Sequence, residues 1–298
     1  MKTIITGSLG HISKPLTETL VQKGHAVTVI SSKPEKQADI EALGATAAIG
    51  SVEDADFLTA TFTGADAVYT MLPPHDFFDP KLDLMAYYHR VGNNYAQAIR
   101  RSGVKRVVHL SSVGAHLDKG TGLILGHHDV ERILDELSGV AITHMRPTAF
   151  YYNLLSFVPA VKNTGVIASN YGAEDRVPWV SPIDIAAAVA EELETPPVDR
   201  KVRYVASEEL TGNEVAGILG TAIGKPDLKW IVVTNEQMQS ALEGFGMPKQ
   251  IAAGLVEMNA CMHTGKLFGD YNLNRPQVMG KIKLSDFAKE FAAAFNQN

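Results

Sequence analysis

The chain contains 298 residues, of which 45% are hydrophobic and 20% charged, so it has enough apolar residues to bury a sizeable core. Its formal net charge is -6 and its Lys and Arg residues are scattered, which disfavours direct binding to nucleic acid or to an anionic membrane. A single cysteine, Cys261, excludes an intrachain disulfide and is typical of a cytoplasmic protein. The apolar N-terminal run is too short for a signal peptide, and no stretch approaches the ~20 apolar residues of a membrane helix.

Short apolar runs alternate with amphipathic runs through the first half of the chain. Strands are predicted at Thr3–Thr6, Ala26–Ile30, Ala45–Ile49, Ala67–Leu72, Arg106–Leu110 and Ala141–Met145. Helices are predicted at Pro15–Lys23, Glu35–Leu43, Asp54–Phe62, Leu84–Ser102 and Asp129–Leu137. Strands separated by helices of this length pair in parallel through right-handed crossovers. The pattern therefore predicts an α/β fold with a Rossmann-type doubly wound parallel sheet.

The pattern loosens after about Phe150, where prolines interrupt it repeatedly. Helices are predicted there at Ile183–Leu193, Gly212–Ile223, Asn235–Phe245, Lys249–Asn259 and Leu284–Phe295, and strands at Val202–Val205 and Trp230–Val233. We expect residues 1–150 to form a nucleotide-binding Rossmann domain. Residues 151–298 are expected to form a smaller α/β substrate lobe, partly interleaved with the first domain.

A glycine loop, Thr6–Ser13, lies directly between the first predicted strand and the first helix. Gly7 lets the chain turn tightly, and Gly10 leaves room for a pyrophosphate to approach the backbone. The N–H groups of the helix start, with the helix dipole behind them, then face the phosphates. Ser13 stands at the third glycine position of the usual pattern. We interpret the loop as a dinucleotide site, with a tight turn that binds no ligand as the alternative.

The residues after the second strand bear on the choice of cofactor. An acidic side chain at this point would bind the ribose 2′-hydroxyl and select NAD, but Ser31 and Ser32 stand there instead. Together with Lys33 and Lys36 they favour a 2′-phosphate. NADP is therefore the expected cofactor, and a solvated loop that also accepts NAD is the alternative.

Six short motifs are spread over nearly the whole chain. They are Thr6-Gly7-x-x-Gly10, Val104–Ser112, His127-x-x-x-Glu131, Thr143-x-x-Arg146-Pro147-x-x-Phe150-x-x-Asn153, Val180-x-x-x-Asp184-Ile185-Ala186 and Leu210–Glu214. In this combination the chain resembles the NmrA-like family of atypical short-chain dehydrogenases/reductases. Within that family it looks most like NAD(P)H:quinone oxidoreductases and redox-sensing regulators.

The resemblance implies a set of cofactor contacts. Those expected at the pyrophosphate are Gly7, Leu9, Gly10, His11 and Ile12. Those expected at the adenosine ribose are Ser31, Ser32 and Lys33, and those near the adenine are Ser51, in place of the more usual acid, and Val52. Those expected at the nicotinamide ribose are Met71, Leu72 and Pro73, and those beside the nicotinamide are Pro147, Thr148, Ala149 and Phe150.

The resemblance also exposes a departure in the catalytic residues. The wider superfamily uses a Tyr-x-x-x-Lys dyad, in which the lysine lowers the pKa of the tyrosine so that its hydroxyl can exchange a proton. Aligning Glu131 with the family's helix puts His127 at the lysine position and Leu123 at the tyrosine position. Leucine cannot transfer a proton, so alcohol–ketone chemistry by this dyad is excluded on that alignment.

Hydride transfer to a quinone or a similar conjugated acceptor needs less from the protein, because the cofactor carries the difficult step. His127 is the first candidate for a proton donor, with Tyr151 and Tyr87 behind it. The alternative for His127 is a hydrogen bond to the cofactor ribose. Ser111 and Ser112 follow a strand at its carboxyl end, where ligands of such sheets bind, and the alternative is that they cap the loop.

Two functions of different kinds remain open. The first is an NAD(P)H-dependent reductase of a small acceptor such as a quinone, acting as a monomer or homodimer. The second is an NAD(P)-binding redox sensor without turnover. An open aromatic pocket beside Thr148 and Phe150 would favour the reductase, and a filled one the sensor. No metal site is expected, since adjacent helical residues such as His127 and His128 point in different directions.

Overall fold

The computed structural model describes residues 1–297. Its strands are β1 (Lys2–Ile5), β2 (Ala26–Ser31), β3 (Thr46–Ile49), β4 (Ala67–Met71), β5 (Arg106–Leu110), β6 (Ala141–Pro147), β7 (Ala149–Phe150), β8 (Val166–Ser169), β9 (Arg176–Val180), β10 (Arg200–Val205), β11 (Glu208–Thr211) and β12 (Lys229–Val232). Its α-helices are α1 (Ser13–Gln22), α2 (Gln37–Ala42), α3 (Ala55–Phe62), α4 (Leu84–Ser102), α5 (Leu125–Asp135), α6 (Val158–Thr164), α7 (Pro182–Glu194), α8 (Gly212–Ala222), α9 (Asn235–Gly244), α10 (Lys249–His263), α11 (Gly269–Leu273) and α12 (Leu284–Asn296). Short 3₁₀ turns occupy Pro34–Lys36, Gly122–Ile124, Tyr151–Phe157 and Lys266–Phe268.

Seven parallel strands form the central sheet, in the order β10-β6-β5-β4-β1-β2-β3. Helices connect these strands, so each connection returns the chain from the carboxyl end of one strand to the amino end of the next. The direction of strand addition reverses between β1 and β4, which opens a crevice at the carboxyl ends of these two strands. This arrangement confirms the predicted Rossmann-type fold.

The two faces of the sheet are covered by different helices because neighbouring strand residues point to opposite faces. Val107 packs on the side of α3, α4 and α5, whereas Val108 packs on the side of α1 and α7. Both side chains are almost fully buried, as expected for a strand covered on both faces. The apolar runs of the sequence thus fix the position of the sheet between two helical layers.

The second half of the chain contributes to the central sheet and also builds a lobe. α7 packs against α1 and leads into β10, which extends the sheet beside β6. The lobe contains a three-stranded sheet, β11-β9-β7, and a two-stranded sheet, β12-β8. Its core centres on Trp179, Phe291 and neighbouring aromatic residues.

The elements differ from the predicted ones in two main respects. α5 begins at Leu125, four residues before the predicted Asp129, so the region of His127 is already helical. The strands β7, β8, β9 and β11 were not predicted, because they are short, and Pro178 lies within β9. Their pairing depends on neighbours that are distant in sequence.

Phe291→Ala tests the lobe core. Phe291 is fully buried in the lobe, so we expect the substitution to lower the free energy of unfolding by about 3–5 kcal/mol. The matched control is Phe245→Ala, since Phe245 is 76% exposed, and its effect should stay within about 0.5 kcal/mol. Chemical denaturation measures both, and equal effects would contradict the described core.

Candidate functional site

The glycine loop follows β1 and leads into α1. Gly7 has a φ of +89°, a conformation that side chains rarely adopt, and a Cβ at this position would overlap Met71 Sδ. The same Cβ would lie 2.6 Å from Ser13 Oγ, which donates a hydrogen bond to the Thr6 carbonyl at 2.8 Å. Gly7 therefore has both a backbone and a packing reason to be glycine, and Ser13 at the third glycine position ties the helix start to the strand.

The start of α1 presents unused hydrogen-bond donors. Within residues 1–297, the backbone N–H groups of Leu9, His11, Ile12 and Ser13 have no acceptor. No side chain caps this helix, and Gly10 is exposed with no side chain of its own. Free N–H groups at a helix N-terminus attract an anion. The loop therefore fits a pyrophosphate.

The end of β2 lies beside this loop. Ser31 is buried, and its hydroxyl accepts a hydrogen bond from Ser8 Oγ at 2.9 Å, whereas Ser32 and Lys33 are exposed. Lys36 pairs instead with Asp39 at 3.0 Å.

A hollow of about 340 Å³ separates Leu9 from α2. Lys14 and Lys36 both line it, together with Asp39. Lys14 is not among the cofactor contacts predicted from the sequence. Its position in the first turn of the helix that follows the glycine loop could have identified it.

The predicted adenine and ribose residues also lie at the carboxyl edge of the sheet. Ser51 and Val52 follow β3, with Ser51 exposed and Val52 half-buried. Met71 ends β4, and its backbone accepts a hydrogen bond from Tyr95 Oη at 2.7 Å. Leu72 is buried and Pro73 half-buried directly after it. The strand ends thus bring together residues that are far apart in the sequence.

Ser111 and Ser112 follow β5 at the same edge. Ser111 is buried, and its hydroxyl donates to Glu131 Oε1 at 2.5 Å. Ser112 is half-buried and donates to the carbonyl oxygen of Val113 at 3.0 Å. Both hydroxyl protons are therefore engaged by the protein, which favours the structural alternative for Ser111 and leaves the hydroxyl oxygen of Ser112 to accept a bond.

His127 lies in the first turn of α5, on the side of the site. Its Nδ1 is buried without a hydrogen-bond partner among residues 1–297, and its ring lies 5.7 Å from that of Tyr88. Burial lowers the pKa of His127 to about 4, more than the nearby Glu131 carboxylate raises it. His127 is therefore neutral at pH 7. This low pKa argues against His127 as an acid that titrates near neutrality and favours the hydrogen-bonding alternative.

Tyr151 points away from the edge of the sheet and into the lobe. Its ring is 1% exposed and stacks between Trp179 and Phe287, and its hydroxyl donates to Glu208 Oε1 at 2.6 Å. Burial and the Glu208 carboxylate raise the pKa of the Tyr151 hydroxyl well above its ordinary value. These contacts argue against Tyr151 as a proton donor, because the hydroxyl is committed to the core of the lobe.

The segment Pro147–Phe150 follows β6. Pro147 and Thr148 are buried, and the Thr148 hydroxyl donates to the carbonyl oxygen of Val205 at 3.3 Å. Ala149 and Phe150 are half-buried. Tyr152 lies between Phe150 and His11, with ring centroids 5.1 Å and 4.9 Å away, respectively. Aromatic side chains therefore occupy the space between this segment and the glycine loop.

An open groove lies further along the same edge. It has a volume of about 630 Å³ and is formed by the N-terminal ends of α4 and α5, the Gly122–Ile124 turn, α9 and α10. Leu123, at the position aligned with the superfamily's tyrosine, is part of its wall.

Residues 1–297 contain neither a metal-binding cluster nor a membrane-spanning helix. No group of three or more His, Cys, Asp or Glu side chains there is arranged to hold a metal ion. His128 Nδ1 lies 2.9 Å from the carbonyl oxygen of Ala115. In the same part of the chain, no helix combines the length and the apolar character needed to cross a bilayer.

The fold and the glycine loop define a Rossmann-type protein with a dinucleotide cradle. Residues 1–290 match the model of the NmrA-like family, and the chain belongs to this family. It is 27% identical over 297 residues to an NAD(P)H azoreductase of Xenophilus azovorans, with 98% of each chain covered.

Two solved structures share the fold. The NADPH-dependent quinone oxidoreductase of Escherichia coli, in complex with NADPH, superposes with a TM-score of 0.81 at 22% identity, covering 97% of this chain and 99% of that one. The Citrobacter sp. triphenylmethane reductase, in complex with NADP(H), has a TM-score of 0.77 at 19% identity, with 97% and 99% covered.

The burial of His127 predicts a dependence of stability on pH. The unfolded chain binds a proton on this side chain near pH 6.5, whereas the folded chain resists protonation down to about pH 4. The free energy of unfolding should therefore fall as the pH drops through this window, by up to ~3 kcal/mol from this group. His127→Asn should flatten the fall in urea denaturation, whereas His263→Asn, at a surface histidine, should leave it steep. An unchanged slope in His127→Asn would contradict the assigned burial.

Proposed function

We propose that the protein is an NAD(P)H-dependent reductase that delivers a hydride to a quinone or a similar small conjugated acceptor without a Tyr-x-x-x-Lys dyad. One observation carries the proposal: the unused N–H groups of the glycine loop and the open groove lie on the same edge of the sheet. The relative from Xenophilus azovorans and the two solved structures are named as reductases of azo compounds, quinones and triphenylmethanes. A cytoplasmic location and a monomeric or homodimeric state are part of the same proposal.

The residues along the strand ends would bind the cofactor. The N–H groups of Leu9, His11 and Ile12 would hold the pyrophosphate, and the exposed Lys33 and Lys14 would attract the 2′-phosphate of NADPH. No acidic side chain stands at Ser31 or Ser32 to favour the 2′-hydroxyl of NADH. These contacts support NADPH as the preferred cofactor.

Hydride transfer would depend on the relative position of the two reactants more than on acid catalysis. When bound, the reduced nicotinamide supplies the hydride. The chain orients the two reactants and keeps His127 neutral, so that its imidazole can hydrogen-bond to a ribose hydroxyl. The oxygen of a reduced quinone is stabilised by delocalisation and can take its proton from water. Leucine at position 123 is compatible with this chemistry, because no side-chain proton is required there.

A redox sensor is the second candidate. It is favoured by one observation, the stacking of Tyr152 between Phe150 and His11, which occupies the space where an open pocket was expected for a reductase. The deciding experiment measures NADPH and NADH oxidation by the purified protein with a panel of quinones and azo dyes, beside direct binding of both cofactors. Turnover supports the reductase, and tight binding without turnover supports the sensor.

Gly10→Asp tests the cradle. We expect the Kd for NADPH to rise at least about tenfold in calorimetry, because the new carboxylate would occupy the phosphate path and repel it. Gly217→Asp is the matched control, since Gly217 is exposed on α8 with nothing within 4 Å of its Cβ position. Unchanged affinity in Gly10→Asp would refute the assigned loop.

Lys33→Glu tests cofactor preference. We expect NADPH binding to weaken about tenfold, because charge reversal replaces attraction of the 2′-phosphate by repulsion, while NADH binding changes little. Lys229→Glu, at an exposed position of β12, should affect neither cofactor. Equal losses for NADPH and NADH would place Lys33 away from the 2′-phosphate.

A further inference from the structure

The open groove lies at the end of the sheet where ligands bind. α4 follows β4 and α5 follows β5, so the first residues of both helices, Leu84 and Leu125, lie near the carboxyl ends of parallel strands. Both residues line the groove. Near the starts of the same helices, the Tyr88 ring of α4 lies 5.7 Å from the His127 ring of α5. The groove therefore borders the region where the reacting ring of the cofactor is expected.

The wall opposite these helices is α10, and two glycines hold it close. A Cβ at Gly122 would overlap the carbonyl oxygen of Gly254, and a Cβ at Gly254 would lie 2.7 Å from Leu123 Cδ2. Any larger side chain at either position would push α10 away from the turn that precedes α5. The close approach of Gly122 to the Gly254 backbone thus holds α10 against the turn that precedes α5.

The lining of the groove is apolar with a polar rim, and its charge has one sign. Of its lining residues, only Glu257 carries a charge at pH 7, and none is Lys, Arg or His. Glu257 is exposed on α10.

We propose that this groove is the acceptor site and that it selects uncharged, flat, apolar acceptors, with Glu257 disfavouring sulfonated or carboxylated ones. This inference rests on the proposed reductase function. Apolar walls favour a ring system that leaves water, whereas an anionic group would lose hydration without gaining a cationic partner. The Glu257 carboxylate adds repulsion that salt would screen only in part, because the groove lies between low-dielectric walls.

The test uses two unreactive probes that differ by one charge, 2-naphthol and 2-naphthol-6-sulfonate. Their fluorescence is titrated with the protein saturated with NADP⁺, so the measurement does not require turnover. We expect 2-naphthol to bind at least about fivefold more tightly than its sulfonate. Equal binding, tighter binding of the sulfonate, or no binding of 2-naphthol would overturn the proposal.

Two variants test whether this charge selectivity arises in the groove. Glu257→Lys should tighten binding of the sulfonate at least about fivefold and leave 2-naphthol nearly unchanged, whereas Glu290→Lys, at an exposed site on α12, should change neither. Ala253→Trp, at an exposed position of the lining, should weaken both probes by occupying the groove. Normal binding of both probes to Ala253→Trp, or no selective effect of Glu257→Lys, would show that the probes do not bind in the groove.

The same proteins separate failure of this inference from failure of the proposed function. Charge-selective naphthol binding without oxidation of NADPH by any quinone would reject the reductase and retain the charge-selective groove. Turnover of an uncharged quinone that is insensitive to Ala253→Trp would retain the reductase and reject the groove as its acceptor site.

Discussion

The buried ion pair between Arg146 and Glu131 holds the site's framework together. Arg146 Nε and Nη2 donate to the two Glu131 carboxylate oxygens at 2.9 Å and 2.6 Å, and both side chains are more than nine-tenths buried. Burial is the largest single influence and raises the pKa of the Glu131 carboxyl, but the hydrogen bonds and charge of Arg146, with His144 and Ser111, together outweigh it and lower that pKa. Arg146 Nη1 also reaches Tyr204 and Asp270, both at 3.2 Å. One guanidinium therefore fixes α5 to β6 and β6 to the lobe, and removal of Arg146 would leave the buried Glu131 carboxylate without its cationic partner.

This framework places the functional groups along one edge of a parallel sheet. Because every strand of the sheet runs the same way, the loops that follow them meet at the carboxyl edge, and the crevice between β1 and β4 receives the glycine loop. Gly7 and Met71 touch there across the switch in strand order. The unused backbone N–H groups of this loop supply the positive end that a pyrophosphate requires, so that contact needs no basic cluster.

Burial also decides what the side chains at this edge can do. His127, which the sequence predicts at the superfamily's lysine position, has a low pKa that keeps it neutral, and the Ser111 hydroxyl donates to Glu131. Leu123 belongs to the wall of a groove whose only charge is negative. These features support the proposed delivery of a hydride to a conjugated acceptor, because that reaction needs orientation of two reactants more than proton transfer from a side chain.

The sequence by itself determined the sheet, its helices and the glycine loop, because strand and helix periodicities and the spacing of Gly7 and Gly10 are local properties. The motif combination likewise identified the family. Only the tertiary structure decided the surroundings of Tyr151 and His127: the Tyr151 hydroxyl points into the lobe, and burial lowers the pKa of the His127 imidazole. It also decided the pairing of the short lobe strands, and it formed the groove from residues more than a hundred positions apart. Contacts between distant segments and the desolvation of a side chain depend on packing, which a local pattern does not encode.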